Sequence, residues 1–221
     1  MTSRIPISSR RHIAAAALLI AAVLSATACT GSQASPGATV SSGPPSSSVS
    51  ATPTSTPTPT PTASYKPADA SGPAQNVPVP VLPEAAKAET KEGLEAFARY
   101  WYELLNYAYE TGDLTRISSI SSATCALCGK VFPGIQKWNA EGRWIVGATV
   151  TVHAVQSSFV RTAGDNFQVS IQSQQRAGLL KNADGSDAQA VSESPMLGDL
   201  MVAKYDDGNW KVQNVDRLGG S

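Results

Sequence analysis

Two cysteines in the stretch SATCALCGK, Cys125 and Cys128, are the side chains whose type and spacing best suit chemistry. A Cys-x-x-Cys pair can serve as a redox dithiol, as half of a metal site or as a structural disulfide. Tetrahedral zinc needs four ligands. With Cys29 assigned to a lipid anchor and His12 to an export signal, for the reasons given below, the mature chain adds only His153 to the two thiols. We therefore predict no metal site and no cofactor.

The redox dithiol and the disulfide make different demands on the surrounding elements. A thioredoxin-type dithiol opens a helix that follows a strand, whereas the segment before Cys125 has a helical period. Dithiols outside the cytoplasm tend to oxidise, and residues three apart in a turn have a Cα separation that a disulfide permits. We therefore predict a structural disulfide between Cys125 and Cys128, worth about 2 kcal/mol. Thiol exchange through this pair stays open as an alternative.

Acid and base residues are scarce where a catalytic cavity would need them. The predicted inward faces of the strands carry no Asp, Glu or His, and His153 falls on an exposed face. Glu193 and Asp199 flank Pro195 in a predicted loop. We predict a binding or interaction domain without catalytic residues. An enzyme is the alternative, and a structure that placed Glu103, Glu193 or Asp199 in a closed pocket beside a tyrosine would favour it.

Aromatic residues are concentrated on the first predicted helix. This helix has more aromatic surface than one core stripe requires, from Tyr100, Trp101, Tyr102, Tyr107 and Tyr109. Tyrosine and tryptophan suit both pockets and interfaces because they combine a large apolar ring with a polar group. Of these residues, Tyr100, Trp101, Tyr102 and Tyr107 are our candidates for a pocket or interface. Packing against the sheet rim and a second helix is the alternative.

The hydrophobic pattern predicts helices first. Seven apolar residues at helical spacing define the buried face of the first helix: Leu94, Phe97, Ala98, Trp101, Leu104, Leu105 and Ala108. Gly112 is a natural stop, because glycine adopts the left-handed cap without strain. Asp113 can cap a short second helix, and a third is predicted from Val131 to Ala140 with Pro133 in its first turn.

After Gly142 the period changes to two, which predicts strands. Alternating stretches cover residues 143–155, where the pattern places Trp144 on the inward face, and residues 166–174. A hairpin over 200–215 turns between Asp206 and Asn209. A weaker strand region lies between Leu179 and Met196. Helices followed by strands with one apolar face predict an α+β domain over residues 84–221. Its helices would pack on one face of a curved, cone-like antiparallel sheet.

The N-terminus is typical of an export signal. Residues 1–28 carry Arg4, Arg10 and Arg11, then an apolar run over 13–24 and small residues before Cys29. The run is too short to span a bilayer stably. A cysteine directly after the small residues resembles a bacterial lipobox, so we predict lipidation of Cys29 and a location outside the cytoplasm, anchored to the membrane. Ordinary secretion is the alternative.

Residues 29–83 are dominated by Ser, Thr, Pro, Ala and Gly, and they predict a disordered linker that holds the domain away from the membrane. The formal net charge is zero, so the chain lacks the excess of basic residues that is typical of a nucleic-acid-binding protein. The membrane is thus the expected partner through the N-terminal lipid. A cell-wall component, a protein or a small molecule is the expected partner of the domain.

The stretch GLEAFARYWYELLNYAYETGDLTRISSISSATCALCGK, residues 93–130, resembles the opening of an actinobacterial family of secreted lipoproteins of unknown function. The aromatic helix, the Thr-Gly-Asp turn and the paired cysteines carry this resemblance, which runs from about Pro83 to the C-terminus. The order of elements is also similar to the nuclear transport factor two-like fold, a cystatin-like α+β cone of sheet around helices. The resemblance implies an anchored, secreted protein and this fold, and it implies no reaction.

Overall fold

Helices come first and strands follow, as the change of hydrophobic period predicts. A computed structural model describes residues 63–219 of the 221-residue chain. Two 3-10 turns, Glu84–Lys87 and Ala140–Gly142, flank three helices: α1 (Lys91–Thr111), α2 (Thr115–Ser119) and α3 (Ala126–Asn139). The strands are β1 (Trp144–Gly147), β2 (Val150–Gln156), β3 (Asn166–Gln175), β4 (Gly178–Lys181), β5 (Asp187–Val191), β6 (Leu197–Asp206) and β7 (Asn209–Leu218). The predicted signal peptide, Cys29 and the linker before residue 63 lie outside the described residues.

The strands form two antiparallel sheets, so the protein has the predicted α+β class with two sheets in place of the single sheet we expected. One sheet has the order β2-β3-β6-β7 and the other β1-β4-β5. The break lies at Gly147 and Ala148, which both have positive φ, at 68° and 55°. Opposite them, a Cβ on Gly178 would come within 2.6 Å of the Val146 carbonyl oxygen. The two backbones therefore approach closely at this point and bend together. The bend divides one long antiparallel pair of strands, so that β2 and β3 pair in one sheet and β1 and β4 pair in the other.

Helix α1 covers one face of the four-stranded sheet. All seven residues of its predicted apolar stripe are buried, and Gly112 ends the helix with φ of 75° as predicted. On β3, Phe167, Val169 and Ile171 are buried while the residues between them are exposed. This one-sided burial is the alternation that the sequence showed.

Two β-bulges break the strict alternation that the sequence predicted for β2 and β7. His153 is the extra residue between the paired positions Val152 and Ala154, and Gln213 is the extra residue on β7. Because each bulge adds one residue, apolar side chains three apart face the same side. Val212 and Val215 are accordingly both buried.

Helix α3 begins at Ala126, earlier than the predicted start at Val131, and Pro133 lies inside it and not in its first turn. Cys125 caps the helix, since its sulfur accepts from the Cys128 backbone N–H at 3.3 Å. The Asn214 side chain accepts from the Ala126 N–H at 2.8 Å. These two contacts satisfy N–H groups of the first turn, which explains the earlier start.

Part of the segment that the sequence assigns to the linker contacts the folded domain. We call residues 64–83 the strap. Its Asp69 carbonyl accepts from Trp144 Nε1 at 2.9 Å, and its Tyr65 hydroxyl donates to Glu110 at 2.7 Å. The strap covers the side of β1 that carries Trp144, so the consecutive residues Trp144 and Ile145 are both buried.

Within residues 63–219 no helix is both long and apolar enough to cross a bilayer.

Candidate ligand-binding cleft

A cleft of about 570 Å³ lies between α3 and the three-stranded sheet. This volume is within the range of small-molecule sites. Its lining comes from α1, α3, the residue before β1, the three-stranded sheet, the bend and the end of β3: Tyr109, Lys130, Val131, Gly134, Ile135, Lys137, Trp138, Arg143, Ile145, Ala148, Gln175, Leu180 and Val191. Most of these side chains are apolar, so the cleft suits a ligand with a large apolar part.

Helix α3 presents one face to the cleft. The lining residues Val131, Gly134, Ile135 and Trp138 recur at helical spacing. Gly134 leaves room at the middle of this face, because a Cβ built on it meets no atom within 4 Å. On the facing sheet, Ile145 lies in the floor of the cleft. Its neighbour Trp144, which we predicted to face inward, points instead to the strap. The cleft thus depends on a bare position in α3 and on the bend between the sheets.

The charged residues of the lining are all basic. Lys130 and Lys137 are exposed on α3, and no carboxylate among the described residues lies within 4.0 Å of either ammonium group. Arg143 donates to the carbonyls of Lys137 and Ala140, at 2.6 and 3.3 Å, and its guanidinium lies 4.8 Å from the centre of the Trp138 ring. Arg143 therefore holds the end of α3, whereas the two lysines are available to a ligand.

Tyr109 lines the cleft and lies near Arg217, a member of a buried polar network. Burial raises the pKa of its hydroxyl, while the nearby Arg217 and Gln175 oppose that rise. Gln175 also lines the cleft, and its side chain donates to the Ala148 carbonyl at 3.3 Å. The inner wall of the cleft therefore has a neutral phenol and an amide as its polar groups.

The buried network centres on Asp199, a residue that the sequence analysis placed in a loop. Asp199 lies on β6 and is 0% exposed. Its carboxylate accepts from Tyr102 Oη at 2.8 Å, from Ser173 Oγ at 2.6 Å and from Arg217 Nε at 3.1 Å. Burial raises the pKa of Tyr102, and the Asp199 charge raises it further. The prediction that the inward faces carry no acid was thus wrong. Asp199 comes shortly after Met196 and Gly198, a stretch that resembles a loop, so Asp199 was not assigned to a strand.

An acid beside a tyrosine in a closed pocket would favour an enzyme, and the Asp199 network meets only one half of that condition. A carboxylate does lie beside a tyrosine. However, Asp199 is absent from the lining of the cleft and its oxygens are occupied by three donors. A buried carboxylate with all its partners in place ties elements together and is poorly placed to exchange protons with a substrate. Glu103 and Glu193 are exposed, and Glu193 pairs with Arg176 at 3.4 Å.

The four aromatic candidates belong mainly to the core. Tyr100, Trp101 and Tyr102 are buried, and Trp101 Nε1 donates to Ser121 Oγ at 2.9 Å. Tyr100 also lines a smaller cavity of about 350 Å³ beside the β6–β7 hairpin, and Tyr107 lines a third beside the strap. None of the four lines the large cleft. The cleft residues on α3 were not predicted, although the helical spacing of Val131, Gly134 and Trp138 is a sequence signal for one shared face.

Cys125 and Cys128 form a disulfide with a Cα separation of 5.2 Å. Both residues are buried. The thiol-exchange alternative requires an exposed attacking sulfur, so this placement does not favour it. His153 is exposed at its bulge and contacts Gln174. Among residues 63–219, no three His, Cys, Asp or Glu side chains come together as a metal site would require.

The fold and the cleft define an α+β domain with a ligand-sized apolar site. By comparison with protein families, the chain belongs to DUF6318, a family of unknown function, whose model matches residues 63–216. The matched range begins with the strap and not at residue 84, where the sequence analysis placed the start of the domain. No curated protein is significantly similar to the chain.

Two solved structures share a distant likeness. The intermembrane space region of the chloroplast protein ARC6 is 8% identical with a TM-score of 0.41, over 59% of this chain and 98% of that one. Aln2 from a Streptomyces species is 7% identical with a TM-score of 0.36, over 57% of this chain and 90% of that one.

Proposed function

We propose that this protein is a cell-envelope lipoprotein whose domain binds a small, largely apolar molecule in the cleft between α3 and the three-stranded sheet. Cys29 anchors the chain through a lipid, and the Ser/Thr/Pro-rich linker sets the distance between membrane and domain. The domain acts as a binding module and carries no catalytic residue of its own. Its specific role follows from the ligand that the cleft selects.

The location rests on the N-terminal sequence. The arginines, the apolar run over residues 13–24 and the small residues before Cys29 support export and lipidation. A diacylated cysteine supplies two chains, which is sufficient for stable anchorage. Intact-mass analysis tests this directly. A chain that begins at Cys29 and carries the mass of a lipid is expected, and a Cys29→Ser variant is expected to leave the membrane fraction.

The fold assignment is proposed at a finer level than α+β. We infer that the helices and the two sheets form a cone of the nuclear transport factor two-like kind, in an actinobacterial lipoprotein family. The long strand pair that bends at Gly147 and Gly178 supports this proposal. The position of the cleft between a helix and the bent sheet also supports it.

The observation that carries the binding proposal is the cleft itself. It is about 570 Å³ in volume, it has an apolar lining, and no carboxylate of the described residues lines it. An apolar cavity with a few polar groups at its edges is the usual form of a small-molecule site. The inner residues Ile135, Ile145 and Ala148 are buried. An apolar ligand part would therefore be removed from water as it contacts them.

The proposal is tested by filling the cleft. The whole chain, exported as Cys29→Ser so that its own lipid is absent, is compared with the same chain carrying Gly134→Phe. Native mass spectrometry is expected to detect a retained small molecule in the parent and none in the variant. The control is Gly129→Phe, which also adds a ring to α3 where a Cβ meets no atom, but outside the cleft. Equal retention in all three chains, or none in the parent, contradicts the proposal.

A further inference from the structure

We infer that the ligand of the cleft is an anionic amphiphile, with its apolar part against the sheet and its anionic group at Lys130 and Lys137. This inference rests on the proposed function, because it names the chemical class of molecule that the same cleft takes. The cleft has apolar residues at one end and basic residues at the other, and this arrangement indicates the chemical class of the ligand. Burial, the sign of the charge and the freedom of the basic groups support it.

Burial divides the cleft into an inner apolar part and an outer basic part. Ile135, Ile145 and Ala148 are at most 4% exposed, whereas Lys130 and Lys137 are exposed. A molecule with one apolar and one charged end satisfies both parts only in one orientation. Its apolar end lies inside, and its charged end lies at the rim, where water still contributes to solvation.

The sign of the charge follows from the lining. Lys130, Lys137 and Arg143 line the cleft, and no Asp or Glu of the described residues does. A cationic head group would therefore meet only like charges, and a neutral one would leave the lysines without a partner. A carboxylate or phosphate would meet two ammonium groups. Electrostatic complementarity of this kind selects the ligand class more than it adds affinity.

No carboxylate of residues 63–219 pairs with either lysine, whereas the arginine is already engaged. Arg143 already donates two hydrogen bonds to carbonyls at the end of α3 and pairs with Glu141 at 3.9 Å. Lys130 and Lys137 are two helical turns apart, so they lie on the same face about 10 Å from each other along the axis. Their long, flexible stems allow both ammonium groups to converge on one head group.

The test compares two probes with the same apolar chain. Decanoate and decanol are titrated separately into the whole chain carrying Cys29→Ser, and binding is followed by the change in intrinsic tryptophan fluorescence, to which Trp138 in the cleft lining contributes. At low salt decanoate is expected to bind about fivefold more tightly than decanol, since exposed ion pairs give modest gains. Added salt should reduce this ratio, because it screens exposed charges.

Three variants separate this inference from the proposed function. Lys130→Gln with Lys137→Gln is expected to abolish the preference for decanoate, so that the two probes bind this variant equally. Lys211→Gln removes an exposed lysine outside the cleft and should leave the preference intact. Gly134→Phe should weaken both probes.

Each contradictory result has a distinct meaning. Equal binding of both probes by the parent chain, or a preference that survives the double lysine variant, overturns the anionic inference while the binding proposal stands. If neither probe binds the parent chain, both the inference and the binding proposal fail.

Discussion

The two sheets of this domain are used in opposite ways. Helix α1 packs on the four-stranded sheet with large apolar side chains, and the one carboxylate we find inside that region, Asp199, has three donors. Helix α3 faces the three-stranded sheet across Gly134, and a cleft of about 570 Å³ remains between them. The comparison shows how one short chain separates stability from binding. Large apolar side chains and a buried carboxylate with three donors stabilise one part, and a position without a side chain keeps space in the other.

The largest expected effect on stability comes from the four-stranded sheet, where Asp199 is paired with three donors. Asp199→Ala should lower the free energy of unfolding by about 4 kcal/mol, because it leaves the buried hydroxyls of Tyr102 and Ser173 without their acceptor. Urea denaturation followed by tryptophan fluorescence measures the change. Glu103→Ala, which removes an exposed acid next to Tyr102, is the control and should change stability by less than about 0.5 kcal/mol. A loss below about 1 kcal/mol for Asp199→Ala would show that the network contributes little.

The bend between the two sheets comes next. Gly178→Ala should cost about 3 kcal/mol, since its Cβ would come within 2.6 Å of the Val146 carbonyl oxygen and the strands would have to separate. The same urea experiment measures it. Gly129→Ala is the control, because a Cβ there meets no atom within 4 Å and alanine favours the helix, so no loss of stability is expected. If the two alanine variants are equally stable, the close approach at Gly178 is not what divides the sheets.

A smaller effect of opposite sign is expected in the cleft. Gly134→Ala should raise stability by about 0.5 to 1 kcal/mol, because alanine is the better helix former and the added methyl group meets open space. Thermal denaturation should show a higher midpoint. A lower midpoint would mean that the cleft does not have the room we describe, and the comparison between the two sheets would be weakened.

The smallest effect concerns the strap. Burial and the hydrogen bond to Glu110 raise the pKa of Tyr65 to about 12. A raised pKa means that the folded protein keeps a proton that the unfolded chain loses above about pH 10, so this contribution to stability falls as pH rises from about 10 to 12. In Tyr65→Phe that part of the alkaline loss should be absent, as measured by unfolding across the same alkaline range. Parallel stability curves for the two proteins would contradict the contact.

Local signals account for what the sequence predicted well. The apolar stripe of α1, the glycine stop at Gly112 and the hairpin turn at Asp206–Asn209 depend on neighbouring residues, and all three are present. The disulfide follows from a spacing of three residues and is also present. Each of these features is decided within a few positions of the chain, where residue type and period carry the information.

Long-range contacts account for what the sequence did not predict. Tyr102 and Asp199 are 97 residues apart, and nothing local marks Asp199 as buried. Trp144 faces the strap because a carbonyl 75 residues earlier accepts its indole N–H. The bulge at His153 and the bend at Gly147 each depend on the partner strand. The cleft is formed by such contacts, so its lining could not be collected from the sequence alone.

The central claim is that the cleft beside α3 is where this protein binds its ligand. Backbone NMR of the whole chain carrying Cys29→Ser, recorded with and without decanoate, tests it most directly. We predict that chemical-shift changes concentrate on Gly134, Trp138, Ile145 and Ala148. Changes concentrated instead around Tyr100 and Trp210, in the smaller cavity at the hairpin, would contradict the claim.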